Sequence, residues 1–560
     1  MHPPSATHNH LTLGNPRFDD ARLAALAASE GNLAAWRRVF VNGPRAAIAG
    51  VQGSFAVGLA EPAGRAFIAV DRFAVHSLCY RIDAGQLRFA ARADELADAS
   101  TAVDPQAIFD YLYFHVIPSP RTIFKGVYRL PPGHYGVFEN GQLTVAPYWT
   151  PAFEEPRGVS FEALKAEFRQ VLKDSVAAQL GSGKAACFLS GGTDSSTVAG
   201  MAAMASGQPV STYSIGFDAQ GYDEMEFARI AARHFKTEHH EYYVTPDDLV
   251  RSIPNVAAHF DQPFGNSSAL PAYYCAKMAR EDGVEKLLAG DGGDELFGGN
   301  SRYAKQRIFG WYGHVPRALQ NGLMEPLLAT RAAAAFALTR KAGSYVEQAR
   351  TPMPDRLQMY NLVMRLGVGE VLTPALMASI DMNQPLTLQR QVWQAARGCS
   401  MLNQELAFDW RFTLAESDLP KVRVATGLAG VDVGFPLLDD RLVDFSLSLP
   451  TEYKLKGLRL RWFFKEALRG FLPDAIITKK KQGFGLPFGV WANATPALKA
   501  LARDSLNSLA SRQVVRADFV NVLMTDRLPE HPGYFGEMVW ILMMLEQWLR
   551  HHAPDFRVQA

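Results

Sequence analysis

The sequence has few cysteines, no surplus of charge and no long apolar run. Lysine and arginine total 57 against 56 for aspartate and glutamate, which gives no basis for non-specific attraction to nucleic acid or to an anionic membrane. The start of the chain lacks a basic segment followed by an apolar run, and no uninterrupted stretch is long enough to span a bilayer. The four cysteines have neither metal-ligand spacing nor the density of a disulfide framework: Cys79, Cys187, Cys275 and Cys399. These absences predict a cytoplasmic protein with no nucleic-acid partner and no membrane partner.

The pattern of residues divides the chain into three regions. Residues 1–19 are rich in His, Pro and Asn, and we expect them to be loosely ordered. Region 20–150 has a helical stretch at 20–29 and then short strands broken by glycine, at 46–49, 54–59, 66–70 and 86–90. Prolines and a glycine between 150 and 158 mark a boundary, after which strands alternate with amphipathic helices. Region 156–555 therefore predicts a parallel sheet covered by helices, with a mainly helical part from about residue 308.

A serine- and glycine-rich loop follows the predicted strand at 185–189. Its residues are Ser190, Gly191, Gly192, Thr193, Asp194, Ser195 and Ser196, and a helix is predicted to follow them. A helix start at the carboxyl end of a parallel strand offers free N–H groups to an anion, and the glycines let the backbone approach phosphates. Asp194 would repel a phosphate unless a cation stood between them, which indicates Mg²⁺. The simpler interpretation is a turn in which Asp194 caps the helix.

Several motifs give this region a family resemblance. The loop resembles the pyrophosphate loop of the ATP pyrophosphatases, and it is not a Walker A loop because no lysine follows the glycines. Four further motifs narrow the match to the asparagine synthetase family: YSIGFD at 213–218, AGDGGDELFGG at 289–299, FPLLD at 435–439 and KKKQGF at 479–484. The resemblance implies an α/β fold, in which a doubly wound parallel sheet of the ATP pyrophosphatase (adenine nucleotide α-hydrolase-like) type carries a helical extension. It also implies an N-terminal α+β glutaminase-like domain of the Ntn-hydrolase type.

The resemblance assigns roles to individual residues. Asp194 and Asp294 correspond to the family's magnesium-binding aspartates, and Lys481 to the lysine that steadies the phosphates. A helix cap at Asp294, or a solvated basic run at 479–481, is the plainer explanation in each case. Besides the phosphate loop, the residues implied to line the ATP site are Leu189, Ile215, Ala289 and Gly290.

Two positions depart from the family pattern. Asp291 stands where asparagine synthetase itself usually has glutamate, so a role as catalytic base requires that the acceptor lies closer. Gly434 stands where the family commonly has arginine. These departures leave the substrate open.

The N-terminal region resembles only part of a glutaminase. In the complete family an N-terminal cysteine is the nucleophile, but no cysteine precedes Cys79 here, and Cys79 is interpreted as a small core residue. Segments 53–56, 71–73 and 89–90 still resemble the back half of that domain. We therefore expect a structural shell, with nitrogen supplied as ammonia, by a separate glutaminase or by a substrate amine.

These patterns predict an ATP- and Mg²⁺-dependent ligase that activates a carboxylate as an acyl-adenylate, releases pyrophosphate and AMP, and forms an amide with ammonia or an amine. The carboxylate belongs to a small molecule or a peptide, and a homodimer is one option for the assembly. One alternative keeps this chemistry but closes a ring on an internal amine, as in β-lactam synthetases and lasso-peptide cyclases. Another alternative is an inactive scaffold or regulatory subunit.

Overall fold

The computed structural model describes residues 10–41, 43, 48, 50–62, 64–155, 158–181, 183–312, 315–320, 337–480 and 485–559. It has the expected α/β architecture, with a parallel sheet in the second region and an antiparallel domain before it. Within the described residues, no helix is both long and apolar enough to cross a membrane.

The first domain is built on a five-stranded antiparallel sheet with the order β1-β4-β5-β9-β10, beside a three-stranded sheet β7-β6-β8. Its strands are β1 (His10–Gly14), β2 (Arg17–Phe18), β3 (Val51–Gln52), β4 (Phe55–Ala60), β5 (Ala66–Val70), β6 (Cys79–Asp83), β7 (Gln86–Ala90), β8 (Tyr128–Arg129), β9 (His134–Glu139) and β10 (Gln142–Pro147). Its helices are α1 (Ala21–Glu30), α2 (Asn32–Val41) and α3 (Pro105–Phe114). All five residues of β5 are buried because α2 packs on one face of the sheet through Trp36 and strand β7 covers the other through Phe89.

The beginning of the chain differs from the expectation. Residues 10–14 form β1, which pairs with β4, and residues 17–18 form β2, so this part of the segment 1–19 is not loosely ordered. The alternating apolar residues Leu11 and Leu13 pack against the sheet. Residues 1–9 lie outside the described residues, as does most of the strand expected at 46–49.

The second domain contains a five-stranded sheet in which every pairing is parallel, with the order β13-β12-β11-β14-β15. The strands are β11 (Ala185–Phe188), β12 (Ser211–Phe217), β13 (Glu238–Val244), β14 (Lys286–Leu288) and β15 (Asp432–Gly434). Helix α4 (Phe161–Leu180) precedes β11, and the helices between the strands from β11 to β14 are α5 (Thr193–Ser206), α6 (Met225–Phe235), α7 (Pro246–His259) and α8 (Ala269–Glu281). Because the chain moves outward from β11 through β12 and then returns to β14 on its other side, the strand order reverses beside β11. Ligands of open parallel sheets bind at such a point.

The remainder of the second domain is mainly helical, as expected. Its helices are α9 (Gly293–Phe297), α10 (Ser301–Tyr312), α11 (Arg317–Leu319), α12 (Ala337–Arg350), α13 (Leu362–Leu366), α14 (Val368–Val371), α15 (Pro374–Ala378), α16 (Gln384–Ala395), α17 (Met401–Asp409), α18 (Leu419–Leu428), α19 (Asp440–Ser448), α20 (Thr451–Lys454), α21 (Trp462–Ala467), α22 (Asp474–Thr478), α23 (Phe488–Ala494), α24 (Pro496–Ser511), α25 (Ala517–Val522), α26 (Leu528–Glu530) and α27 (Pro532–His552). Short 3₁₀ turns at Asp355–Gln358 and Pro436–Leu438, π-helical stretches at Trp410–Asp418 and Leu523–Arg527, and a hairpin of β16 (Leu455–Lys456) and β17 (Arg459–Leu460) complete it.

One hydrophobic cluster contains residues of both domains. Helix α3 of the first domain is buried along nearly its whole length and lies in the same apolar cluster as α27. The Tyr111 hydroxyl donates a 2.9 Å hydrogen bond to the Ile541 carbonyl within this core. Buried Glu416 accepts a hydrogen bond from Arg129 of the first domain and forms an ion pair with Arg411 of the second. The first domain thus packs against the second through buried contacts and is not joined to it by the linker alone.

Candidate active site

The predicted phosphate loop lies at the point where the strand order reverses. It joins β11 to α5, whose N-cap is Gly192, so Asp194 and Ser195 lie in the first helical turn. The Ser195 hydroxyl is 2.9 Å from that of Ser190 and accepts the Ser190 N–H at 3.1 Å, which closes the loop on itself. Ser190, Gly192, Thr193, Asp194 and Ser195 line a cavity of about 830 Å³. This volume suits a nucleotide together with part of a second substrate.

Two glycines of the expected site lie so close to neighbouring backbone that no side chain would fit there. Gly191 has a left-handed φ of 71°, and a Cβ there would lie 2.5 Å from the backbone nitrogen of Ala228 in α6. A Cβ on Gly290, after β14, would lie 2.7 Å from the Ser195 backbone nitrogen. The loops after β11 and β14 therefore touch, and only glycine permits this approach. Ser196 is fully buried behind the loop.

Asp194 and Asp294 come from these two loops and contact the same cation. Arg461 donates from Nη1 to Asp194 Oδ2 at 2.9 Å and to Asp294 Oδ1 at 2.8 Å, and from Nη2 to Asp194 Oδ1. Nη1 also donates to the Thr193 hydroxyl at 2.9 Å. Burial would lower the pKa of Arg461, but the two carboxylates outweigh it and raise that pKa. The convergence of two carboxylates on one point, beside a phosphate loop, fits Mg²⁺, which proteins commonly hold by one or two carboxylates with substrate phosphates supplying further oxygens.

The described residues contain no cluster of three or more His, Cys, Asp or Glu side chains able to hold a metal ion by themselves. A magnesium ion at this pair would complete its coordination with oxygens of water molecules and of substrate phosphates.

The glycines around Asp294 explain the motif at 289–299. A Cβ on Gly293 would lie 2.4 Å from Asp194 Oδ1, and a Cβ on Gly299 would lie 1.7 Å from Asp294 Oδ1. Gly292 has a left-handed φ of 100° at the start of α9. Each carboxylate therefore lies in a space that one glycine leaves open, Gly293 beside Asp194 and Gly299 beside Asp294, and the N-cap of α9 is Gly292 and not Asp294.

Asp291 lies in the same cavity with a lysine that the sequence analysis did not identify. Lys421 Nζ is 3.5 Å from Asp291 Oδ1 and 2.9 Å from Asp418 Oδ1. The π-helical stretch Trp410–Asp418 leads into α18, which brings Asp418 and Lys421 to the cavity wall. Burial raises the pKa of the Asp291 carboxyl, and Lys421 opposes that shift. A buried carboxylate with a raised pKa is a suitable general base.

The expected adenosine side is formed by the ends of β11 and β12. Leu189 and Ile215 line the cavity. The Leu189 carbonyl accepts the buried Ser214 hydroxyl, and its N–H donates to the Tyr213 carbonyl at 2.9 Å. Ala289 is buried, and its N–H donates to the Gly434 carbonyl at 2.8 Å, so this residue supports the sheet behind Gly290.

Lys481 lies outside the described residues, so its predicted role in holding phosphates stays a prediction. Its neighbour Lys479 is largely buried and forms a 2.8 Å ion pair with Glu224 beside the cavity. At Lys479, therefore, the basic run is not an exposed surface segment. Lys465 also lines the cavity, where burial and the nearby Arg461 lower its pKa.

The departure at Gly434 has a local explanation. A Cβ there would lie 2.4 Å from the Gln179 amide oxygen and 2.9 Å from Leu288 Cδ2. In this chain the side chains of Gln179 and Leu288 therefore occupy the space beside β15, and a larger residue at 434 would require them to move.

Cys79 has the environment of a core residue. It is fully buried in the centre of the sheet β7-β6-β8, and burial raises the pKa of its thiol well above the usual value. A buried thiol with a raised pKa is a poor nucleophile.

Comparison with known proteins agrees with this geometry. A family model described as asparagine synthase matches residues 167–550, and one described as a glutamine amidotransferase domain matches residues 30–149. The chain belongs to the asparagine synthase family. It is 24% identical to glutamine-hydrolyzing asparagine synthetase 1 of Bacillus subtilis (strain 168) over 482 residues, which cover 85% of this chain and 74% of that protein. A putative glutamine-hydrolyzing asparagine synthetase of Mycobacterium tuberculosis (strain ATCC 25618 / H37Rv) is 24% identical over 80% of this chain and 69% of its own length. A putative asparagine synthetase 2 of Methanocaldococcus jannaschii is 32% identical, over 42% of this chain and 47% of its own length.

Membership of this ligase family confirms the resemblance drawn from the motifs. Sequence reasoning identified the loop and the acidic residues but missed Arg461, Lys421 and Lys465. No motif marks these cations in the sequence. They lie in the asparagine synthase region but come from α18 and from the segment after β17, far along the chain from the loops that they meet.

Proposed function

We propose that this chain adenylates a carboxylate with ATP and transfers the acyl group to ammonia or an amine. In the first step a carboxylate oxygen attacks the α-phosphorus, the bond to the β-phosphate breaks, and pyrophosphate leaves. In the second step the nitrogen attacks the acyl carbon, AMP leaves, and the nitrogen loses a proton. The products are an amide, AMP and pyrophosphate.

One observation carries the proposal. The phosphate loop, the pair Asp194 and Asp294, and the partly buried Asp291–Lys421 pair all face a single cavity at the carboxyl edge of the parallel sheet. Adenylation needs a cationic environment for pyrophosphate and a base for the nucleophile. Arg461 and Lys465 supply positive charge beside the loop, and Asp291 is the candidate base.

Magnesium, when bound, would supply Lewis-acid stabilisation of the charge that develops on pyrophosphate. Asp194 and Asp294 are the residues that would hold it. The protein's own groups bind and orient the substrates, and Lys421 holds the Asp291 carboxylate in the cavity.

The proposal assigns no glutaminase activity to this chain. No cysteine precedes Cys79 in the sequence, and Cys79 is fully buried. We therefore expect ammonium or an amine, and not glutamine, to support turnover by the purified chain.

The test is a pyrophosphate-release screen over candidate acids, including peptides with an internal amine, with ammonium, glutamine or no added donor. The expected result is release with at least one acid, loss of release in Asp194→Asn and Lys481→Ala, and retained release in Lys480→Ala, whose exposed side chain belongs to the same basic run. ADP as the product, or an active Asp194→Asn/Lys481→Ala double variant, would refute the proposal. Turnover with a peptide alone would select the ring-forming reaction, and absence of ATP–pyrophosphate exchange with every acid would favour a scaffold.

A further inference from the structure

Arg461 lies at the centre of the candidate site, although the family motifs do not include it. It directly precedes α21 and has a left-handed backbone conformation, with φ 54° and ψ 36°. Its N–H donates to the Gly298 carbonyl at 3.2 Å, which fixes the residue against the glycine-rich segment after α9. Only 6% of its side chain is exposed. A non-glycine residue in this conformation persists only where its surroundings hold it.

The guanidinium bridges the loops after β11 and β14, which carry the two aspartates. Both terminal nitrogens contact Asp194, and Nη1 also contacts Asp294 and Thr193. Such charge-assisted hydrogen bonds are about twice as strong as neutral ones. The guanidinium thus occupies carboxylate oxygens that a metal ion would require.

The same guanidinium is held in a way that permits its release. Its Nε is buried and has no hydrogen-bond partner in the part of the chain that the structure describes. Its Cζ lies 4.1 Å from the centroid of the Phe464 ring, a contact that does not depend on hydrogen-bond direction. Nη1 also lies beside Thr193 of the phosphate loop. A phosphate bound to this loop would offer the terminal nitrogens of Arg461 new acceptors with the same negative charge as the carboxylates.

We propose that Arg461 acts as an internal cation that occupies Asp194 and Asp294 until the nucleotide arrives, so that the divalent metal binds with the nucleotide and not before it. This inference rests on the proposed function. Mg²⁺ loses its water ligands reluctantly and would have to displace a bridging guanidinium without gaining phosphate oxygens. When the phosphates bind, they supply ligands for the metal and a partner for Arg461. Metal and nucleotide affinities are then coupled, and each ligand strengthens the binding of the other.

The experiment measures binding of Mn²⁺, as a paramagnetic probe, by electron paramagnetic resonance with and without a non-hydrolysable ATP analogue. The full-length wild type should bind Mn²⁺ at least about tenfold more tightly with the analogue, a coupling of ordinary size for linked sites. Arg461→Gln should bind Mn²⁺ without the analogue at least about tenfold more tightly than the wild type does. Arg516→Gln is the control because Arg516 pairs with Asp518 on the surface and is not among the residues that line the cavity, and it should behave as the wild type.

A purely structural role for Arg461 predicts weaker metal binding in Arg461→Gln, whereas the inference predicts a gain. If Arg461→Gln does not fold, Arg461→Lys, which keeps the charge without the planar fork, should give a smaller gain. Equal Mn²⁺ affinity of the wild type with and without the analogue would overturn the inference and leave the proposed function standing. Failure of the wild type to bind the analogue at all would overturn the proposed function itself.

Discussion

Gly299→Ala should disrupt the acidic pair while leaving the fold intact. Gly299 lies outside the left-handed region, so alanine can adopt its backbone conformation without strain. The new Cβ would nevertheless lie 1.7 Å from Asp294 Oδ1 and 2.6 Å from Arg461 Cδ, whereas real Cβ atoms keep at least 3.0 Å from other heavy atoms. The Asp294 carboxylate must therefore retreat by more than about 1 Å, which breaks its 2.8 Å hydrogen bond to Arg461.

The size of the effect follows from the contact between Asp294 and the metal, which the displaced carboxylate can no longer make. We take as its scale the contribution of a hydrogen bond to a charged group, about 1.5–3 kcal/mol. We expect Mg²⁺-dependent ATP binding to weaken by roughly 10- to 150-fold, since each 1.4 kcal/mol corresponds to a factor of ten. Isothermal titration calorimetry with ATP, in the presence of Mg²⁺ and then of EDTA, measures this directly.

The matched control is Gly427→Ala. Gly427 lies exposed in α18, and no heavy atom lies within 4 Å of the position of an added Cβ, so ATP binding should not change. Thermal unfolding should show that both variants are folded. Binding of MgATP to Gly299→Ala within threefold of the wild type would show that the carboxylate is not confined as described.

Three other predictions concern the remaining parts of the site and the domain junction. Asp294→Asn should reduce pyrophosphate release by at least about 100-fold, because one charge of the metal-binding pair is lost; release near the wild-type rate would contradict the assignment. Lys421→Met should move the acid limb of the pH–rate profile for amide formation to higher pH. Burial raises the pKa of Asp291 and Lys421 opposes this shift, so the pKa should rise further when Lys421 is replaced. Because the base must be deprotonated, an acid limb that does not move would argue against Asp291 as the base. Glu416→Ala should destabilise the protein by about 3–5 kcal/mol, seen as an earlier thermal transition, because Arg129 and Arg411 lose their buried partner; Glu466→Ala, at an exposed pair, should have little effect on the transition.

The sequence predicted those elements that have a strong local pattern. The strands predicted at 66–70 and 86–90 have the observed bounds because apolar residues fill the first and alternate with polar residues in the second. Strand β15 was missed because it has only three residues and pairs with β14, which lies far earlier in the chain. A short strand buried in a parallel sheet has no pattern of its own to distinguish it from a loop.

The same distinction applies to the site. The phosphate loop and the segment 289–299 could be identified because glycine, serine and aspartate occur together where backbone geometry requires them. Arg461 and Asp194, which are in contact, are 267 positions apart in the sequence. The neighbours of Arg461, Leu460 and Trp462, form no local pattern that predicts this contact. Long-range ion pairs depend on how elements pack, which motifs do not encode.

The apolar cluster that joins α3 to α27 has a practical meaning for anyone who seeks a minimal catalytic fragment. Cutting the chain near residue 150 would strip α3 away and leave residues such as Trp540 and Ile541 facing water. Fragments with large apolar areas uncovered tend to aggregate. Work on the ligase half should therefore keep the amidotransferase-like half in place and confine any changes in it to point substitutions on its surface.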